Sequence, residues 1–278
     1  MIYADMHMHS RCSDGSESIE RLFELASAAA ISVISITDHE IKPDLHRMKR
    51  ASKEYKVAYI PGMEAAGIDK KSGLGAHILG YAIKDYQPVL ELTTPVIKRR
   101  GANARKQIAI LQRLGYDITE QEVRKVTESP DLYRQHINYT LWKKGQIPDM
   151  FGTWYKQMYK NNGPLEMKNE YPEPVRLVEA IKKGGGYAVL AHCGQQKNEA
   201  LIPALVRAGL DGLELNHPSN SIEYRKMIQQ EAMKYSLFLT GGSDFHGLFS
   251  PNQTQIGACG VDWPINEITK GRLKEWIR

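Results

Sequence analysis

Short apolar runs alternate with amphipathic stretches along most of this chain. Runs near 2–6, 32–37, 57–61, 76–81, 187–191, 211–215 and 237–240 have the length of strands. Between them lie helical patterns. Ser18 to Ala30 carries an apolar stripe through Ile19, Leu22, Phe23 and Leu25. Pro174 to Lys183 opens on a proline in its first turn and stops at Gly184-Gly185-Gly186, the usual asymmetry of helix ends. Those glycines lack the Lys and Ser/Thr of a phosphate loop. Seven strands alternating with helices predict an α/β fold with a mainly parallel sheet.

From about residue 89 to 172 the alternation stops. Helical patterns cover 89–114, 119–128, 134–144 and 151–160, punctuated by Pro130, Pro148, Pro164 and Pro172. This predicts a small helical insertion domain, 89–172, within an α/β body formed by 1–88 and 173–278. The chain shows no internal repeat and no low-complexity tract.

Composition narrows the class without naming it. The 278 residues suffice for one large domain, or a domain with an insertion, and 42% apolar with 25% charged residues is ordinary for a globular enzyme. No stretch approaches the roughly 18 apolar residues of a membrane helix, so no membrane partner is expected. The chain opens directly into a strand, which argues against a cleaved signal peptide. Three cysteines, Cys12, Cys193 and Cys259, lack metal-type spacing and fit a reducing, cytoplasmic location. The net charge of +5 resides in residues 91–172, where fourteen Lys/Arg face nine Asp/Glu. Lys98, Arg99, Arg100, Arg105, Lys106 and Arg113 form a run without an acid, either a solvated helix face or a basic wall for an anionic substrate. The excess is too mild to require long nucleic acid.

The chemistry begins at His7-Met8-His9. Side chains alternate along a strand, so both imidazoles project to one side, a common start for a metal site. Asp38-His39, Glu64, His77, His192, His217, Asp244 and His246 also lie near predicted strand ends. In barrel-like α/β folds that rim carries the chemistry. So many nitrogen and oxygen donors exceed the needs of one catalytic zinc and point to two or three metals, with a carboxylate able to bridge neighbours. His46, in a basic helical stretch, reads as solvent-facing, and Cys193 as buried packing.

Asp5-Met-His7-Met-His9-Ser10, Ile36-Thr-Asp38-His39, Pro61-Gly-Met-Glu64, Leu190-Ala-His192 and Ser243-Asp-Phe-His246 together resemble the motifs of the PHP (polymerase and histidinol phosphatase) superfamily. The resemblance covers about 190 residues outside the insertion. It implies a distorted seven-stranded (β/α)7 barrel and a trinuclear centre. His7, His9, Glu64 and Asp244 would hold the first metal, with Glu64 bridging to a second held by His77 and His192. Asp14, His39 and His246 would hold the third. Asp14 stands where some members have His, and its hard oxygen favours Mn²⁺ or Mg²⁺ over Zn²⁺, with Fe also open. Asp38 would orient His39 or a neighbour.

Divalent metals without a thiolate suit hydrolysis, in which a metal-bridging hydroxide attacks a phosphoester. Candidates for the phosphate oxygens or the leaving group are Arg134 and His136, in Tyr133-Arg-Gln-His136, and His217, in Glu214-Leu-Asn-His217-Pro218. The first resembles an Arg-Pro-His element of PHP proteins with a helical insertion, with Gln135 departing from its proline. Arg134 as an exposed helix charge and His217 as a capped turn residue are the alternatives. That subgroup includes 3′,5′-bisphosphonucleotide phosphatases and 5′-to-3′ exonucleases of short oligonucleotides. The resemblance therefore implies a small phosphorylated substrate, a nucleotide or an oligonucleotide end, with Tyr133 or Tyr139 available for base stacking. The competing readings are a phosphatase of the histidinol-phosphate type and a non-catalytic nucleotide-binding module.

Overall fold

The computed structural model describes residues 2–252 and 254–263 of the chain; 264–278, the end of the expected body, lie outside the described residues. The first half of the body comprises β1 (Ile2–Met8), α1 (Ile19–Ala28), β2 (Val33–Ile36), α2 (Leu45–Tyr55), β3 (Ala58–Tyr59), β4 (Gly62–Ile68) and β5 (Gly75–Tyr81). Four helices follow: α3 (Gln87–Arg113), α4 (Glu120–Arg124), α5 (Arg134–Lys143) and α6 (Thr153–Tyr159). The body resumes with α7 (Pro174–Lys183), β6 (Tyr187–Leu190), α8 (Cys193–Gln196), α9 (Ile202–Arg207), β7 (Gly212–Asn216), α10 (Ile222–Tyr235), β8 (Phe238–Gly241) and β9 (Val261–Trp263).

Pairing gives two mixed sheets, β3-β2-β1-β9 and β4-β5-β6-β7-β8. The β1–β2, β2–β3, β6–β7 and β7–β8 pairs are parallel; β1–β9, β4–β5 and β5–β6 are antiparallel. The expected mainly parallel, closed seven-stranded barrel is therefore not what the hydrogen bonding describes. Two sheets meet instead at two seams, marked by isolated parallel bridges between Met8 and Phe245 and between His39 and Glu64. Both seams run through the residues singled out for chemistry. β4 and β9 are additional to the strands the pattern predicts. Gly62-Met-Glu-Ala-Ala-Gly-Ile has little intrinsic strand preference, and its pairing with β5 along the whole segment holds it extended.

Three apolar clusters build the body. Ala4, Met6, Val33, Leu79, Val189 and Phe238 pack between the sheets. Tyr81 lies fully buried among them and donates its hydroxyl to the Met6 carbonyl at 2.8 Å, which satisfies the polar end of an otherwise apolar ring. Helices α1 and α2 cover one sheet through Leu22, Phe23 and Met48, and α7, α9 and α10 cover the other through Leu177, Ile181, Leu205 and Ile228. Each such side chain contributes roughly 1.5–3 kcal/mol by leaving water.

The insertion has an apolar cluster of its own, including Ile108, Leu111, Val123, Leu132, Ile137, Leu141 and Leu165. Helix α3 joins the two cores, packing Val89 into the body and Ala104 to Leu111 into the insertion. The transition expected near residue 89 thus runs inside one helix. No described helix is long and apolar enough to cross a membrane.

Candidate metal centre

The seams bring all nine expected ligands together, although Glu64 and His77 lie within β4 and β5 rather than at strand ends and Asp14 lies in the loop after β1. They fall into four overlapping groups, His9/Asp14/His39/His246, His7/Glu64/His192, His7/His9/Asp244 and His39/Glu64/His77, with donor atoms in each group within 4.8 Å of one another. The backbone is specialised here. Glu40, His192 and Asp244 adopt positive φ, an uncommon conformation for residues with a Cβ. Gly242 lies so close to β1 that a Cβ would stand 2.3 Å from that of His7.

Glu64 is at the centre. Its Oε1 lies 2.8 Å from His77 Nδ1 and 3.0 Å from His192 Nε2. Its Oε2 lies 3.2–3.3 Å from His7 Nε2, His9 Nε2 and His39 Nδ1. Asp244 Oδ1 is 3.4 Å from His7 Nε2 and 3.2 Å from His9 Nε2. Asp14 Oδ1 is 3.4 Å from His246 Nε2 and 3.8 Å from both His39 Nε2 and His9 Nδ1. His9 therefore faces both the Glu64/Asp244 side and the Asp14 group, a sharing that the motifs do not reveal.

Among the described residues, the ion-pair partners of Asp14, Glu64 and Asp244 are all histidines. Burial alone would raise these carboxyls, yet the imidazoles hold all three well below the ordinary range. Burial likewise opposes charge on His9, but Asp244 and Glu64 lift its imidazole to about 10. His39 goes the other way, down to about 3, because burial dominates. Among the described residues, the side chains paired with these three carboxylates supply positive charge only through protons on imidazoles. His7 Nε2, both nitrogens of His9, His39 Nδ1 and Asp14 Oδ1 are buried without a hydrogen-bond partner among the described residues. Orphaned nitrogens and oxygens facing one another without a thiolate fit divalent cations. Cys193 stays in the apolar core, its thiol pushed up to about 12 by burial.

Several supporting groups were not singled out as site residues by the motifs. Glu214 Oε1 meets His7 Nδ1 at 2.9 Å, directing Nε2 inward, and Glu214 Oε2 accepts the His192 amide at 2.8 Å. The only sequence signal for it is its place in Glu214-Leu-Asn-His217. Asp5 accepts from the Ser243 and Gly257 amides at 3.0 and 2.7 Å, tying β1 to the segments after β8. Asp38 does not orient His39 through any described hydrogen bond. It accepts from Ser10 and Ser13 at 2.6–2.7 Å and so shapes the loop that carries Asp14.

The centre lines one part of a cavity of about 680 Å³, its floor, and residues of the insertion line another, its wall. Arg134 is exposed on that wall, 5.6 Å above the Tyr155 ring, with Phe151 and Lys160 nearby. His136 stands behind it: fully buried, its Nδ1 accepts the Tyr133 amide at 3.1 Å, and burial pushes the imidazole down to about 4. His217 faces the floor. Ser219 N–H donates to its Nδ1 at 3.1 Å, and its Nε2 lies 3.3 Å from Asp244 Oδ2. The tyrosines expected to stack on a base are otherwise engaged. Tyr133 is buried beneath Arg100, 4.7 Å from its guanidinium, and bonds the His39 carbonyl. Tyr139 packs against Phe249 and Trp142. Arg100 turns to the cavity and holds both Glu40 oxygens at 3.0 Å, whereas Arg99 and Arg105 pair with Glu170 and with Glu120 and Asp131 near the surface.

A fold and centre of this kind define a metal-dependent phosphoesterase, and comparison with known proteins agrees. The PHP domain profile matches residues 5–171. A phosphoribosyl 1,2-cyclic phosphate 1,2-diphosphodiesterase of Eggerthella lenta is 32% identical over 88% of this chain and 94% of its own. A 3′,5′-nucleoside bisphosphate phosphatase of Chromobacterium violaceum is 26% identical over 88% of each chain. The fold also matches a solved structure from Bifidobacterium adolescentis, with a TM-score of 0.86 at 23% identity over 99% of this chain and 96% of that one. The chain belongs to the PHP domain family.

Proposed function

We propose that this phosphoesterase acts on small ribose esters carrying two phosphoryl groups, 3′,5′-bisphosphonucleotides foremost, with 5′-phosphorylated ends of short oligonucleotides as related substrates. One observation supports this reading: the same cavity is lined by the carboxylate–imidazole cluster and by Arg134 and Lys160 of the insertion. With cations held in the floor, a ligand reaching both would be favoured by negative charge at two ends. In this reading His7, His9, Asp14, His39, Glu64, His77, His192, Asp244 and His246 hold three divalent cations, and residues 89–172 cap the substrate. Bound there, the cations would supply electrophilic charge to phosphoryl oxygens and acidify the attacking water.

The protein side chains do the rest. Arg134 and Lys160 hold the phosphate that does not react. Glu214 keeps His7 facing inward, and His217 sets its Nε2 beside Asp244. Attack by water forms a new P–O bond as the ester P–O3′ bond breaks, and the leaving oxygen takes a proton, giving nucleoside 5′-monophosphate and phosphate.

A second reading is opening of a cyclic ribose phosphate. The 32% identity to the Eggerthella lenta enzyme favours it, as does the burial of Tyr133, which lies under Arg100 with little ring exposed for base stacking. The test is product formation after Mn²⁺ reconstitution, resolved by chromatography because ring opening and diester cleavage free no inorganic phosphate, from 3′,5′-bisphosphoadenosine, phosphoribosyl 1,2-cyclic phosphate, a 5′-phosphorylated dinucleotide and histidinol phosphate. Turnover of the first supports the leading reading, and turnover of the second alone replaces it with the alternative. Release from histidinol phosphate alone would sink both.

A further inference from the structure

Gln135, the residue that departs from the Arg-Pro-His pattern, lies in the first turn of α5 and donates its Nε2–H to Asp14 Oδ2 at 2.9 Å. The other carboxylate oxygen, Oδ1, is buried without a hydrogen-bond partner among the described residues and faces His246, His39 and His9. We propose that Gln135 is a positioning residue through which the insertion completes the His9/Asp14/His39/His246 cation site.

The argument rests on how Asp14 is held. It projects from the loop after β1, whose shape Asp38 fixes through Ser10 and Ser13. Those bonds set the loop but leave the Asp14 carboxylate free to rotate. A primary amide on Oδ2 removes that freedom, occupies one oxygen and presents the other to the three imidazoles. Outer groups that orient a ligand in this way tune metal affinity. Three further hydrogen bonds from the insertion reach the same corner, Tyr133 Oη to the His39 carbonyl at 3.3 Å and Arg100 to both Glu40 oxygens. The opposite corner is supported from the body, where Glu214 holds His7 and His217 faces Asp244. One cation site therefore depends on the insertion, and the Glu64/His192 and His7/Asp244 sides do not.

This inference rests on the metal centre but not on the substrate. The test is Mn²⁺ titration of the chelated full chain by calorimetry, together with thermal midpoints before and after metal addition, for wild type, Gln135→Glu and Gln135→Ala. The glutamate variant keeps the shape of the side chain while replacing a donor with an acceptor. One class of Mn²⁺ should weaken by about tenfold or more in both variants, with the remaining equivalents and the metal-free midpoint unchanged. Isotherms that superimpose on wild type would overturn the proposal. So would uniform weakening of every equivalent with a lowered metal-free midpoint, because that reports a general structural defect. A wrong substrate assignment leaves these isotherms unaltered and shows only in the substrate panel.

Discussion

The floor and the wall of the cavity are built by opposite rules. The floor is assembled from strands and loops that are distant in sequence, and it is buried and dense in carboxylates and imidazoles. The wall comes from one contiguous insertion, with an exposed cation above an aromatic ring. In the floor, low dielectric makes each unpaired charge costly, so residue types are tightly constrained. On the wall, water screens the charges and many arrangements would serve. In the proposed reading, reaction class is written in the floor and substrate choice in the wall.

Perturbing the floor should have the largest effect. Chelation of the chain should abolish phosphate release from any substrate, and added Mn²⁺ should restore it. Glu64→Gln and Asp244→Asn should each lower kcat by more than about 100-fold, beyond the usual effect of altering a group that merely orients a ligand. Retention of kcat in either variant would break the distinction between floor and wall. One layer out, Glu214→Gln should weaken metal binding by about 10–100-fold, measured by Mn²⁺ titration, because His7 loses the carboxylate that fixes its tautomer.

The wall should respond differently. Arg134→Ala should raise KM for a doubly phosphorylated ribose by about tenfold, the loss expected for one charge-assisted hydrogen bond of about 1.5 kcal/mol. An aryl monophosphate, which does not reach the wall, should be hydrolysed as by wild type. Equal loss on both substrates would place Arg134 in the floor chemistry instead.

The smallest effect belongs to the tie that holds the insertion to the body from outside. Arg47 pairs with Glu20 at 2.6 Å and with Glu128. This largely surface network should be worth only about 0–1 kcal/mol. Hydrogen bonding to Arg47 lowers the Glu20 carboxyl to about 2. A carboxyl depressed on folding stabilises above its unfolded value, and that contribution fades as pH falls through the folded one. The difference in thermal midpoint between wild type and Arg47→Met should thus be full at pH 6 and shrink toward pH 2.

His7, His9, His39, His192 and His246 were legible because a strand period or a short motif places each at an element's end. Glu214 and Asp5 were less so. A carboxylate that orients an imidazole or ties two segments looks in sequence like any other acid near a strand. β4 escaped prediction because alanines and glycines form a strand there only through β5. Arg100 illustrates the limit on the wall. It sits in a run of basic residues of like composition, and packing of α3 against two cores decides that it faces the cavity while Arg99 pairs with Glu170. Tyr133, a reasonable stacking surface in sequence, is covered by that same arginine.

The sequence by itself determined which imidazoles and carboxylates are available to a metal site and, with them, the hydrolytic class, because donor chemistry is a property of side chains that no fold can change. Only the tertiary structure decided the mixed pairing of the sheets, the sharing of His9 between two groups and the reach of Gln135 to Asp14. These depend on which distant segments pack together, and that is set by the summed burial of two cores, which no local pattern encodes.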